Sequence, residues 1–172
     1  VRDKKLDQAI AFLQQVLAAD QKSVPARVLL GNTYLVNREP QKAEDEYRRA
    51  LKLDERDVVA RLQLARLTMD GKRDAESIAL LQSILKDQPG HVPAAVILAQ
   101  ALARLGRYDQ AVPVLETALG RNPQAMELVL PLGELYLKKN APEQAIARLE
   151  PVVAASPGLV EPRMLLGLAY LA

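Results

Sequence analysis

The sequence predicts an all-α fold: an α-solenoid, in which antiparallel helix pairs stack one on the next. Three observations predict it. Apolar and small residues recur at a strict 34-residue step through the 172 residues. Within each step they are spaced as on helices, not strands. Prolines fall in phase with the same step, where helices would start or units would end.

The recurrence holds in independent columns. Leu30-Gly31 with Tyr34 meets Leu64-Ala65, Leu98-Ala99, Leu132-Gly133 with Tyr136, and Leu166-Gly167 with Tyr170. A second column reads Ala9, Ala43, Ser77, Ala111, Ala145, and a third reads Leu13, Tyr47, Leu81, Leu115, Leu149. A fourth reads Val16, Ala50, Ile84, Ala118, Val152. No insertion breaks the phase.

In chain order, Leu6 to Ala19 reads as a lone second helix, covering about residues 4–20 within the partial repeat 1–23. Full units follow at 24–57, 58–91, 92–125 and 126–159, starting at Val24, Val58, Val92 and Met126. Residues 160–172 read as a lone first helix from Val160. Leu30 and Tyr34 form one helical stripe, and Ala43, Tyr47, Ala50 and Leu51 another. Short turns such as Asn37-Arg38-Glu39 and Gly71-Lys72-Arg73 force neighbours antiparallel. Gly71 reads as a helix-ending glycine. Pro25, Pro93 and Pro162 open first helices, Pro40 and Pro142 open second helices, and Pro89 and Pro157 close units. Pro131 and Pro151 fall inside helices and Pro113 early in one. They are expected as tolerated kinks; the alternative is a hinge.

Composition narrows the function. No cysteine is present, which excludes disulfides and thiolate metal sites. The net charge of +2 comes from 23 basic and 21 acidic residues mixed along the chain, without the basic stripe of a nucleic-acid binder. No apolar run reaches the ~20 residues that span a bilayer. The single histidine, His91, reads as a solvated loop residue, since a metal needs several ligands. No Ser/His/Asp or Cys/His set can be assembled, so no enzyme activity, cofactor or metal is expected. Glu44-Asp45-Glu46 with Arg48 and Arg49 reads as a surface of helical ion pairs. Tyr34, Tyr136 and Tyr170 read as core residues.

These columns resemble the tetratricopeptide repeat, whose pattern is W-x2-L-G-x2-Y, then A-x3-F, then A, then P. The resemblance covers essentially the whole chain. The tryptophan is replaced throughout, by Arg27, Arg61, Ala95, Val129 and Arg163. It implies a right-handed superhelix in which small first-helix residues such as Gly31 face Ala43 and its column mates. It further implies a protein-binding scaffold whose concave groove, lined by first helices, grips an extended peptide or partner helix. Three ladders lie on the outward positions of those helices. They are Val28, Leu62, Val96, Leu130, Met164; Asn32, Arg66, Gln100, Glu134, Leu168; and Val36, Asp70, Arg104, Lys138, Ala172, with Gln63 beside Leu62. An apolar strip flanked by polar groups suits an amphipathic segment; the alternative is that neighbouring helices cover it. The lysine–asparagine clamp that some relatives close on a C-terminal carboxylate is absent, because Val28, Gln63, Pro93 and Ile97 occupy its positions.

Both ends carry half a unit. The apolar run Met164 to Leu171 leads us to expect a piece of a longer repeat protein, or pairing of the terminal helices with another copy. The expected partners are proteins or peptides, not nucleic acid. The competing function is a self-assembly module, and an accessory role beside a catalytic domain is a further alternative. The Ala/Leu/Arg-rich style resembles bacterial repeat proteins of envelope and secretion assemblies, which favours the bacterial periplasm or envelope over the cytoplasm.

Overall fold

The computed structural model describes residues 2–172, with side chains from Lys4 onward. Among them lie ten α-helices, a 3₁₀ turn (Met126–Leu128) and no strand. The helices are α1 (Arg2–Ala19), α2 (Val24–Val36), α3 (Pro40–Leu53), α4 (Val58–Asp70), α5 (Asp74–Asp87), α6 (Val92–Arg104), α7 (Tyr108–Arg121), α8 (Val129–Lys138), α9 (Pro142–Ala155) and α10 (Val160–Leu171). Even-numbered helices are the first helices of the repeat and odd-numbered ones the second. The chain divides into two compact units, Val1–Leu80 and Leu81–Ala172. Each is an all-α stack of helix pairs.

The turns show why the pairs form. Each first helix is joined to its second helix by three residues, and each turn contains one left-handed residue. These are Arg38, Lys72, Gly106 and Asn140, at φ 61°, 59°, 70° and 56°. That residue donates its N–H to a carbonyl three residues back, and its successor reaches five residues back, as in Lys72→Met69 and Arg73→Thr68. The pair of bonds satisfies carbonyls that a helix end leaves open. Gly71 caps α4 at φ −76°, so the left-handed position belongs to Lys72 instead. A spare glycine therefore sits beside the position that needs one.

The starts of first helices are also built by a repeated column. Ser23, Asp57 and His91 each accept the N–H three residues ahead, at 3.4, 2.6 and 3.2 Å. His91 is thus a half-buried helix cap, not a solvated loop residue. Ala125 stands at the same column without a side-chain acceptor, and there the helix opens as a 3₁₀ turn. Because α8 begins only at Val129, Pro131 falls in its first turn, where no N–H is needed, and not in a helix interior. The other two, Pro113 and Pro151, lie inside α7 and α9, which run through them unbroken.

The small-residue columns make the cores. Ala43, Ser77, Ala111 and Ala145 are fully buried, as are Tyr47, Leu81, Leu115 and Leu149. In the first unit Leu30, Tyr34, Ala43, Tyr47, Ala50, Ala60 and Leu64 form one cluster; in the second, Val129, Ala145, Leu149, Val152, Leu166 and Ala169 form another. Ser77 faces Ala65 as expected, its hydroxyl donating to the Ala65 carbonyl at 2.8 Å. At Gly31 a Cβ would meet the Tyr47 ring first, at 2.6 Å.

Polar residues supply a second set of links. Glu44 and Glu46 are buried, not surface pairs. Glu44 accepts from Arg73 of the next turn at 2.6 and 2.7 Å and from Arg48 at 2.7 Å; Glu46 accepts from Arg27 at 3.0 Å and Arg49 at 2.6 Å. The hydrogen bonds from Arg73, then those from Arg48, pull the Glu44 carboxyl down to about 2. Arginine in place of the tryptophan also ties down the turn between units. Arg27 donates to the Gln21 carbonyl and Arg163 to that of Pro157, at equivalent repeat positions. The tyrosine column is graded: Tyr34 is buried, Tyr136 half-buried, and Tyr170 61% exposed. Tyr170 is therefore not the core residue its column suggests.

Candidate protein-binding surface

Each compact unit carries its own set of the predicted residues. In the first unit, α2 and α4 hold the ladder residues. Val28 is buried in the core beside Ala60 and Leu64, so it supports the surface from beneath. Asn32, Leu62 and Gln63 are half-buried, and Arg66 and Asp70 are exposed. Asn32 is held in place by the Tyr47 hydroxyl, which donates to its Oδ1 at 2.7 Å. Burial of that hydroxyl, with the desolvation it brings, raises Tyr47 to about 12, so it stays a donor.

In the second unit, α8 packs against both α6 and α10. Val96 and Leu130 are half-buried, while Gln100, Arg104, Glu134 and Lys138 are exposed. Between α8 and α10 lies a hollow of about 290 Å³ lined by Leu130, Glu134, Glu161, Met164, Leu165 and Leu168. It brings together four residues of the predicted ladders, Leu130, Glu134, Met164 and Leu168. It adds Glu161, which the sequence reading did not single out. The available signal was its spacing, one turn before Met164 on the same helix.

The opposite, second-helix side of this unit has another hollow, of about 510 Å³, beside Glu116, Met126, Arg148 and Pro151. No predicted surface residue lines it. Glu116 is engaged there, by Arg148 at 2.6 Å and by the Tyr136 hydroxyl at 2.7 Å. Desolvation first, and the Glu116 carboxylate second, raise the Tyr136 hydroxyl above its usual range. Among the described residues no three His, Asp or Glu side chains gather as a metal would require, and no helix is long and apolar enough to cross a membrane.

Helix pairs in fixed phase, joined by identical turns and presenting varied residues on one helix of each pair, define a helical-repeat interaction module. The chain belongs to the tetratricopeptide repeat family, whose profile matches residues 1–49, 37–102, 69–116 and 102–169. Its fold is shared with MamA (22% identity, 86% of each chain covered, TM-score 0.75). It is shared also with YrrB, described as a TPR protein with an unusual peptide-binding site (20% identity, 99% of this chain and 86% of that one, TM-score 0.76). A third likeness is to a thermophilic TPR protein in Thermus thermophilus (19% identity, 98% of this chain and 92% of that one, TM-score 0.68). No curated protein matches the sequence. Proteins of this family are in general non-enzymatic interaction modules, and the chain is a scaffold for protein–protein interaction.

Proposed function

We propose that the first-helix face binds an extended peptide or a partner helix of another protein, and that residues 1–172 act as a single repeat array without catalytic activity. The supporting observation is that Leu62, Val96 and Leu130 are half-buried while Arg66, Asp70, Gln100, Glu134 and Lys138, further along the same helices, are exposed. Apolar anchors with a polar rim are what peptide recognition uses. The peptide-binding site named for YrrB supports the reading by analogy of fold. The test is Leu62→Glu with Leu130→Glu, read as partner capture from the source cells beside far-ultraviolet circular dichroism. A folded double variant that still captures the partner removes the proposal. A setting in the bacterial envelope is part of the same proposal, checked by fractionating cells and finding the protein with envelope or cytoplasm.

A second reading is self-association through the terminal helices. Val16 on α1 is 48% exposed, although its column mates Ala50, Ile84 and Ala118 are fully buried. On α10, Gly167 has open space where Gly31 and Gly133 meet second-helix side chains, and Leu171 is 86% exposed. α1 carries second-helix columns and α10 carries first-helix columns, so the two suit each other between copies. Light scattering across concentration decides; a mass fixed at one chain rejects it.

A further inference from the structure

We infer that the hollow between α8 and α10 selects a cationic amphipathic segment, one that inserts a leucine-sized side chain and flanks it with lysine or arginine. The inference rests on the peptide-binding reading above and names the partner's chemistry at one place on that surface. The floor is apolar: Leu130 on α8 with Met164, Leu165 and Leu168 on α10. Met164 is 65% and Leu168 56% exposed. They lie on the ladder columns of Leu130 and Glu134, not on the columns that second helices cover. Their exposure leaves the floor of the hollow open to a partner's side chain. At about 290 Å³ the hollow has room for one or two side chains, at the lower edge of the roughly 300–1,000 Å³ of small-molecule sites.

The rim supplies the sign. Glu134 and Glu161 are the charged residues lining the hollow, and neither has a hydrogen bond or ion pair among the described residues. Some carboxylates elsewhere are engaged, Glu44 and Glu46 by arginines, Glu116 by Arg148 and Tyr136, and Glu150 by Tyr170. Two carboxylates left unpaired beside an apolar floor are complemented by a partner's cations. Their spacing is also set. Glu134 is level in the repeat with Leu168, and Glu161 lies seven residues before Leu168, so they stand about 10 Å apart along the helix direction. Cations at i and i+7 of a helix, or i and i+3 of an extended chain, match that interval.

The test uses fluorescein-labelled peptides in two frames. One is an alanine-based helix with leucines at i+3 and i+4 between variable positions i and i+7. The other is an extended peptide with one leucine between variable positions i and i+3. Each is made with lysine, glutamine or glutamate at the variable positions, and binding is read by fluorescence anisotropy. In at least one frame the lysine peptide binds about fivefold more tightly than the glutamine peptide, as expected for two exposed ion pairs. The preference shrinks toward unity at about 1 M salt. Glu134→Gln with Glu161→Gln removes the preference, so that the lysine peptide binds no more tightly than the glutamine peptide. Equal binding of lysine and glutamine peptides, or a preference that survives the double substitution, overturns the inference alone. Failure of every peptide to bind overturns it together with the peptide-binding reading.

Discussion

Alanine substituted at three glycines of one repeat column will change stability in different directions, and the structure sets each sign. In a helix interior alanine is favoured over glycine by about 1 kcal/mol. At Gly167 an added Cβ has nothing within 4 Å, so Gly167→Ala should stabilise by about 0.5–1 kcal/mol. At Gly31 the Cβ would lie 2.6 Å from Cε1 and 2.9 Å from Cδ1 of Tyr47. That ring is fully buried, and its hydroxyl is tied to Asn32, so it has no free direction in which to retreat. Overpacking of this kind costs about 1–3 kcal/mol, which exceeds the propensity gain, and Gly31→Ala should lose about 1–2 kcal/mol net. Gly133 is intermediate: its Cβ would meet Leu165 at 3.1 Å and Leu149 at 3.2 Å, both flexible side-chain ends, and the change should be near zero. Urea denaturation followed by far-ultraviolet circular dichroism measures all three. A Gly31→Ala midpoint raised as far as that of Gly167→Ala would refute the reasoning. So would failure of Tyr47→Leu, the residue found at Leu81, Leu115 and Leu149, to restore the Gly31→Ala protein.

Three further outcomes follow from the turns and the buried ion pairs. Glu44 has its carboxyl held at about 2 against an ordinary 4.5, first by Arg73 and then by Arg48. A depressed carboxyl contributes stability that is fully present above pH 4.5 and fades as pH falls toward 2. Full conversion would give about 3 kcal/mol, but Arg73 and Arg48 are 42% and 43% exposed, so about 1–2 kcal/mol remains after screening. Denaturation midpoints of the parent protein should therefore fall across that window more steeply than those of Glu44→Gln, and parallel curves would reject the assignment. Lys72→Gly should raise stability by about 1 kcal/mol, because lysine at φ 59° is in the left-handed region that glycine occupies freely; a lowered thermal midpoint would contradict this. Ala125→Asp should add about 1 kcal/mol by capping as Asp57 does, and amides of Met126–Leu128 should exchange more slowly, an unchanged rate arguing against the missing cap.

The stack was legible in the sequence because every column that built it is under packing constraint. Ala43, Ser77, Ala111 and Ala145 are fully buried, so only small side chains fit there, and the period survives. The helix starts at Val24, Val58 and Val92 and the three-residue turns after α2, α4 and α6 follow from the same constraint, whereas α8 opens only at Val129 behind the 3₁₀ turn Met126–Leu128. The errors fall where one residue type serves two physical ends. Gly71 does end α4 as its C-cap, but the left-handed residue that glycine usually supplies is Lys72, fixed by the turn's hydrogen bonds. His91 carries the cap that Ser23 and Asp57 carry, through Nδ1 instead of an oxygen, so the column was hidden by its changing chemistry. Glu44 and Glu46 looked like surface charges at helical spacing. Their burial depends on Arg73 and Arg27, which are distant in sequence and contribute to no apolar period.

The proposed binding face is the part least fixed by the repeat, and this follows from what the repeat constrains. The column of Asn32, Arg66, Gln100, Glu134 and Leu168 holds five different side chains, while the core column four residues on from Ala43 holds only tyrosine and leucine. Packing selects one size for the core in every unit, but a side chain facing outward is free of that selection, and partner binding alone can set it. Under the proposed binding reading each repeat therefore contributes its own chemistry, and recognition is the sum of contacts made repeat by repeat. Under this logic Glu134→Gln should alter partner preference with little change in stability, whereas Ala111→Leu, buried on all sides, should cost about 1–3 kcal/mol through overpacking and leave intrinsic preference untouched where the protein stays folded. Binding and denaturation measured on both variants separate the two kinds of column; a Glu134→Gln protein that loses stability as Ala111→Leu does would show that this outward column is held by packing after all.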